Sequence, residues 1–375
     1  VEFRIAEGKI EEVRLIDSPI ERSGGGSATL PFVSPGFFDI QVNGYRGTDY
    51  GYGRLKEEGL REVLLGLAAA GTTRHLATVI TNPAETVFRR MEFFRKAVKR
   101  SPLIRRGIAG IHLEGPFISA EEGPRGAHDV RYVRDPDILL FKEWQEASGG
   151  LIKMITLAPE RRGAIPFIEE VSAAGVLCAL GHTAADGETL EKAVRAGARL
   201  STHLGNGSRS ELPRLENYIW QQLGDDRLAA SLICDGYHVP ESAVRVISRA
   251  KGGERLVLIS DSTGITGKAP GRYLWGDIEV ELCEDGHIVL SGTPYLAGAG
   301  FLLDWDIPRL VEFSGWSVAE AVRCCTATPD RLLGGEPGRI EAGAPADFTL
   351  FRYEAGDQRL RVELTVCGGE ELYIR

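Results

Sequence analysis

A chain of 375 residues, 43% hydrophobic and 26% charged, has the balance of an ordinary soluble globular protein with room for a large core, and it holds no apolar run of about 18 residues to span a membrane. Its net charge of -9, with a pI near 5.5 and no Lys/Arg block interleaved with aromatics, excludes the usual nucleic-acid binders and leaves any anionic ligand to a few local basic groups. Six cysteines (Cys178, Cys234, Cys283, Cys324, Cys325 and Cys367) without C-x-x-C spacing, and an opening Val1-Glu2-Phe3-Arg4 unlike a secretory signal, set the expectation of a cytoplasmic chain with reduced thiols and no membrane partner.

Residues 1–34 show short β-type alternation, at 1–5 and 13–16, and then a Ser/Gly-rich run at 23–27. The far end, 341–375, has the same texture. Neither stretch can enclose a core alone, so the two are expected to pair into one small β-domain. Between them, 35–340 alternates apolar strands with helical segments. The strands read 36–42, 73–80, 108–113, 152–157, 176–180, 200–204, 228–234 and 256–259. Helix signals separate them: Asn82 as a cap before Pro83 and Glu85, a 3.6-residue period at 188–195, and Pro240 ahead of 241–250. Eight strand-helix units in series predict an α/β fold, a (β/α)8 TIM barrel. An insertion at about 263–313 carries its own hairpin around Asp285-Gly286, and a capping box, Ser317 with Glu320, opens a last helix that should stop near Thr328-Pro329.

In such a barrel the reacting groups belong at the C-terminal ends of the strands. Those ends carry Asp39, Gln41 and Asn43, then Glu114, His182, His203, Asp235 with His238, and Asp261. Five of the seven histidines, His112, His128, His182, His203 and His238, fall on or near them, whereas His75 and His287 read as structural. Glu114 ends a buried strand in Ile111-His112-Leu113-Glu114-Gly115-Pro116-Phe117, where a carboxylate needs a positive partner: an Arg, a backbone N–H, or a metal ion. Glu114, His182 and His203 together offer one carboxylate and two imidazoles, an open zinc-type site with room for a water. Asp261 can take a proton from that water and return it to a leaving amine, and His128 can donate to a carbonyl oxygen as it becomes an oxyanion. Trp275 and Trp305 can be pocket walls or packing.

The motifs 35–39, 112–117, Gly126-Ala127-His128, Leu180-Gly181-His182-Thr183, Thr202-His203-Leu204, Asp235-Gly236-Tyr237-His238-Val239 and Ser260-Asp261 together resemble the N-acetylglucosamine-6-phosphate deacetylases of the amidohydrolase superfamily. Gly343-Ala344-Pro345-Ala346-Asp347 resembles that superfamily's return into its small β-domain. The resemblance spans nearly the whole chain. It implies Glu114, His182 and His203 as metal ligands, Asp261 as general base and acid, and His128 as the group polarising the acetyl carbonyl. Much of the superfamily has His-x-His at the first strand end for a second metal; Gln41-Val42-Asn43 stands there instead, and amides are poor ligands beside imidazole. One divalent metal per subunit is therefore expected, zinc first, with iron(II) or cobalt acceptable to the same donors. The resemblance also implies Asn206, Gly207, Arg214 and His238 as contacts for an amino-sugar phosphate, with the Arg supplied across a homodimer. After His203 this chain reads Gly205-Asn206-Gly207-Ser208-Arg209 where many members have Phe-Asn-Ala-Met, and Arg209 becomes a second candidate for the phosphate.

The expected reaction is hydrolysis of the acetamide of N-acetylglucosamine 6-phosphate. The altered loop keeps other acetamides in view: N-acetylgalactosamine 6-phosphate, an unphosphorylated acetamido sugar or an N-acyl amino acid. A non-catalytic barrel binding metal or sugar is the alternative of another class, and Asp261 speaks against it, since binding needs no proton carrier.

Overall fold

Eight parallel strands pair in chain order into one sheet: Phe37–Val42, Thr72–Ile80, Ile108–Glu114, Ile152–Leu157, Leu177–Leu180, Leu200–Ser201, Ala229–Leu232 and Leu256–Leu258. The computed structural model describes residues 2–14 and 30–375; Leu15, Ile16 and the Ser/Gly-rich run at 23–27 lie outside the described residues. The first and last strands meet through a parallel bridge between Val42 and Ser262, with Asn43 N donating to Ser262 O at 2.8 Å and Asp261 N to Gln41 O at 3.0 Å. This closes the expected barrel. The strands are apolar on both faces because one face lines the barrel and the other lies under helices; Phe37–Val42 is buried along its whole length.

Phe38, Ile40, Leu76, Met154, Ala179, Leu200, Val257 and Ile259 fill the interior. A polar layer also crosses the barrel: Thr78 Oγ1 meets His112 Nδ1 at 3.3 Å, His112 Nε2 meets Thr156 Oγ1 at 2.7 Å, and Thr156 meets Thr202 at 2.8 Å. His112 and Glu114 are two apart on one strand and so share a face. That alternation corrects the placing of His112 at the mouth: its imidazole is a satisfied core group, and Glu114 is the residue that emerges. His75 is likewise internal, with Tyr50 Oη 2.8 Å from its Nε2.

The helix Gly187–Ala196 shows why these segments form where they do. Asp186 caps it by accepting from Thr189 N at 2.8 Å, Leu190, Ala193 and Val194 face the barrel, and Gly197 ends it. Three local expectations need correction. Asn82 does not cap the helix Ala84–Arg100; Pro83 holds the cap position and Asn82 donates to Ile80 O. The sixth strand is only Leu200–Ser201, because the chain turns at once into the loop bearing His203. The capping box forms, but its helix Val318–Arg323 ends at Cys324, and a separate helix, Ala327–Leu332, accommodates Pro329 in its first turn, where the missing N–H costs nothing.

The chain's two ends do meet. Phe32–Pro35 pairs with Phe348–Arg352, and Arg361–Cys367 and Glu370–Ile374 complete a four-stranded antiparallel sheet. The hairpin of Glu2–Ala6 and Lys9–Arg14 packs Ile10 against Phe348 and Val366. The insertion forms a three-stranded sheet of Gly271–Trp275, Ile278–Leu282 and Ile288–Leu290.

Lys251, 1% exposed in the helix Glu241–Arg255, ties the seventh unit together by donating to the carbonyls of Gln222, Asp225 and Leu228 at 2.6, 2.9 and 2.9 Å. Lys251→Met keeps the side chain's length but strips three buried acceptors of their donor. It is expected to lower the stability measured by urea unfolding by about 2–4 kcal/mol; an unchanged midpoint would contradict this clasp.

Candidate active site

At the C-terminal mouth, Oε1 of the buried Glu114 stands 3.2 Å from His182 Nε2 and 3.0 Å from His203 Nε2, and those two nitrogens are 3.1 Å apart. His182 Nδ1 lies 2.9 Å from Pro124 O. A carbonyl only accepts, so Nδ1 carries the proton and Nε2 turns a lone pair to the centre. Burial alone would raise the Glu114 carboxyl, but the imidazoles of His182 and His203 against it hold it well below the usual carboxylate range.

Three donor atoms 3.0–3.2 Å apart approach the edges of about 3.3 Å in a tetrahedron of ligands around a zinc-sized ion, so the residues fit a metal. Donor atoms of Glu114, His182 and His128 also lie within 4.8 Å of one another. The triangle with His203 is the tighter, and His128 stands beside it, with its Nδ1 2.8 Å from Thr81 Oγ1 and its ring 4.3 Å from that of His182. Burial pushes the His128 imidazole down to about 3, so it is neutral at physiological pH.

Gln41 Nε2 donates to Glu114 Oε1 at 3.0 Å and to Asp261 Oδ1 at 3.1 Å, and Asn43 Nδ2 donates to the same Asp261 oxygen at 2.7 Å. An amide N–H2 thus stands between the two carboxylates, where a second cation would otherwise screen them. Both bonds to Asp261 fall on Oδ1, and no hydrogen bond among the described residues holds Oδ2. Asp261 is pushed up to about 7 by burial, with the charge of Glu114 adding. Asp39, nearly fully buried, accepts from Gln41 N at 3.1 Å and from Ser260 N at 3.2 Å, and so sets the neighbours of both groups.

Among the described residues only five non-glycine positions have left-handed φ, and His182 (51°), His203 (29°) and Asp261 (50°) are three of them. Such conformations cost about 1–3 kcal/mol each and persist where surrounding structure imposes them. Here that structure includes Glu160, which sequence reasoning missed: its carboxylate accepts from Thr183 Oγ1 at 2.5 Å and Ala184 N at 2.7 Å, fixing the loop behind His182. Its one signal was a Pro-Glu pair just past the fourth strand.

His238 Nδ1 is 2.7 Å from Asp235 Oδ2, and Trp305 Nε1 donates to Asp235 O at 3.1 Å. Trp305 therefore supports this loop, while Trp275, bonded to Asp49 at 2.8 Å, packs the insertion. Asn206 Nδ2 is a buried donor with no acceptor among the described residues. Arg209 is bound to Glu121 Oε2 through Nε at 2.9 Å and Nη2 at 2.6 Å. Arg214 is exposed and has no hydrogen bond or ion pair among the described residues, so this chain alone does not bring it to the site.

A barrel with an Asp and a Glu/His cluster at its mouth defines a class. The chain belongs to the amidohydrolase family, whose model matches residues 32–372. That family is metal-dependent, and the chain is a hydrolase acting on an amide. It is 34% identical over 381 residues to the N-acetylglucosamine-6-phosphate deacetylase of Bos taurus, covering 96% of this chain and 86% of that one. The Bacillus subtilis (strain 168) protein of the same name is 31% identical, with coverage of 91% and 84%. Among solved structures, a Mycobacterium smegmatis N-acetyl-D-glucosamine-6-phosphate deacetylase mutant in complex with N-acetyl-D-glucosamine-6-phosphate superposes with a TM-score of 0.86 at 28% identity, covering 99% of this chain and 94% of that one. The Thermotoga maritima N-acetylglucosamine-6-phosphate deacetylase gives 0.84 at 27% identity, with coverage of 100% and 95%. These likenesses bear out the resemblance carried by the motifs.

Gly207, at φ 56°, crosses directly over the site: a Cβ there would lie 2.7 Å from His182 Nδ1. Gly207→Ala must displace the His182 ring or the loop. It is expected to cost about 1–3 kcal/mol of stability and to reduce the divalent metal retained after dialysis; unchanged values of both would contradict this close approach.

Proposed function

We propose that the chain hydrolyses the acetamide of N-acetylglucosamine 6-phosphate to acetate and glucosamine 6-phosphate. The observation that carries this reading is the arrangement of Asp261 beside the Glu114, His182 and His203 triangle, with Oδ1 tied down by Gln41 and Asn43 and Oδ2 free. Glu114, His182 and His203 would hold one divalent ion, zinc by donor set, with iron(II) or cobalt also acceptable. Bound there, the ion supplies a water acidified to a pKa of about 7 and a Lewis acid for the acetyl oxygen. Asp261 Oδ2 takes the proton of the attacking water and delivers it to the departing nitrogen. The Asp261 carboxyl returns towards its charged form as positive charge offsets Glu114. With the Thr81 hydroxyl donating to His128 Nδ1, Nε2 carries the proton and donates to the acetyl oxygen as negative charge gathers on it.

Asn206, whose orphaned amide awaits an acceptor, Gly207, which leaves room above His182, and His238, oriented by Asp235, would receive the sugar phosphate. The exposed Arg214, flanked by the exposed Leu215 and Trp220, would reach the site of a second copy in a homodimer. The phosphorylated substrate and six free thiols support a cytoplasmic reaction. One observation favours a second reading, an unphosphorylated acetamido sugar: Glu121 already neutralises Arg209.

Acetate release separates the roles. Asp261→Asn is expected to retain the tight metal equivalent and lose about 3 orders of magnitude or more in kcat. Glu114→Gln is expected to lose that equivalent together with activity. Substantial turnover in the first variant, or unaltered metal content in the second, would remove the residue from its role.

A further inference from the structure

The outer hairpin brings together a set of donors that the reaction does not use. Leu282 pairs with Ile288 across the hairpin, so the next positions outward, Cys283 and His287, are also cross-strand neighbours, with Cys283 N donating to His287 O at 2.9 Å. Gly286, at φ 97°, donates to Cys283 O and tightens the turn. Leu282 and Ile288 face the apolar core of the insertion, which leaves Cys283 and His287 on the opposite face. One donor atom each from Cys283, Asp285 and His287 lies within 4.8 Å of the others.

The imidazole is held in place from outside the hairpin. Tyr237 stacks on His287 at 4.7 Å, Phe301 stacks on Tyr237 at 5.8 Å, and Trp305 stacks on Phe301 at 4.3 Å, so the ladder is rooted in the barrel. Asp285 Oδ1 lies 2.5 Å from His287 Nδ1, and the same carboxylate bonds the Tyr237 hydroxyl. His287 Nδ1 and Asp285 Oδ1 thus face each other across a shared proton; an ion taking that proton's place is ligated by both, while the neutral imidazole keeps its proton on Nε2.

We propose that the turn 283–287 is a second metal site, for a borderline-soft divalent ion such as zinc, built from the Cys283 thiolate, the His287 imidazole and the Asp285 carboxylate. Without the ion the thiol keeps its proton, since burial and the charges of Asp285 and Glu281 raise it. Binding therefore forms one sulfur–metal bond and releases one proton per ion to solvent. The ion fastens the hairpin to Tyr237, and through it to the loop bearing Asp235 and His238. The site rests on its own geometry and stands or falls independently of the proposed reaction.

Cobalt(II) discriminates between the two centres, because the donors at the barrel mouth include no sulfur. Titration of the metal-stripped full chain is expected to bind two equivalents. The weaker one should bring a thiolate-to-cobalt charge-transfer band in the near ultraviolet. Cys283→Ser should lose that band and the weaker equivalent while keeping the other. His287→Gln and Asp285→Asn should weaken the same equivalent by about 10- to 100-fold, and Glu114→Gln should leave the band in place. Absence of the band at saturating cobalt, or its persistence in Cys283→Ser, would overturn the proposal.

Discussion

The Oε1 atom of Glu114 is the point on which the barrel mouth depends. It is shared by groups from three other strand ends: Gln41 from the first, His182 from the fifth and His203 from the sixth. A buried carboxylate left without such partners would be expelled or protonated, because desolvation alone costs several kcal/mol. Its partners are in turn held from behind, His182 by Pro124 and Gln41 by Asp39. Barrel closure and site assembly are therefore one event: the contacts that join the first strand to the last, through Gln41, Asp261 and Ser262, also set Asp261 beside Glu114.

Strand ends impose the geometry and loops pay for it locally in backbone strain. His182, His203 and Asp261 each adopt a left-handed φ that a free chain avoids, and each follows a strand of only two to four residues. The short strands let the chain turn early enough to aim three side chains inward. Glu160, Asp39 and the glycine at 207 make that turning possible, and none of the three touches the reacting atoms in the proposed mechanism.

Much of this was legible in the sequence, for reasons that are physical. Barrel strands are buried on both faces and read as unbroken apolar runs, so their order and their polar ends could be counted. Glu114, His182, His203 and Asp261 stood out because ionisable residues at such ends need partners. His112 misled because it lies two residues before Glu114, and its hydroxyl partners Thr78, Thr156 and Thr202 are distant in sequence. Asn82 misled because a cap depends on φ and ψ, and the flanking proline took that position. Glu160 was marked only by its place just past the fourth strand, and Glu121 by nothing: an exposed-type residue in a loop announces neither a clamp nor an ion pair. The insertion's hairpin was legible from its alternation, but not that its turn would meet Tyr237.

Arg209 bears most directly on the proposed substrate. Its guanidinium joins the loop after the sixth strand to the loop after the third through Glu121, so a phosphate bound by Arg209, the second candidate contact, would compete with a carboxylate. The direct measurement is kcat/KM for N-acetylglucosamine with and without its 6-phosphate, on protein of known metal content, with acetate release as the readout. The proposed function predicts a preference of about a hundredfold or more for the phosphorylated sugar, roughly 2.7 kcal/mol of transition-state binding. Equal values, or no acetate from either sugar, would contradict it.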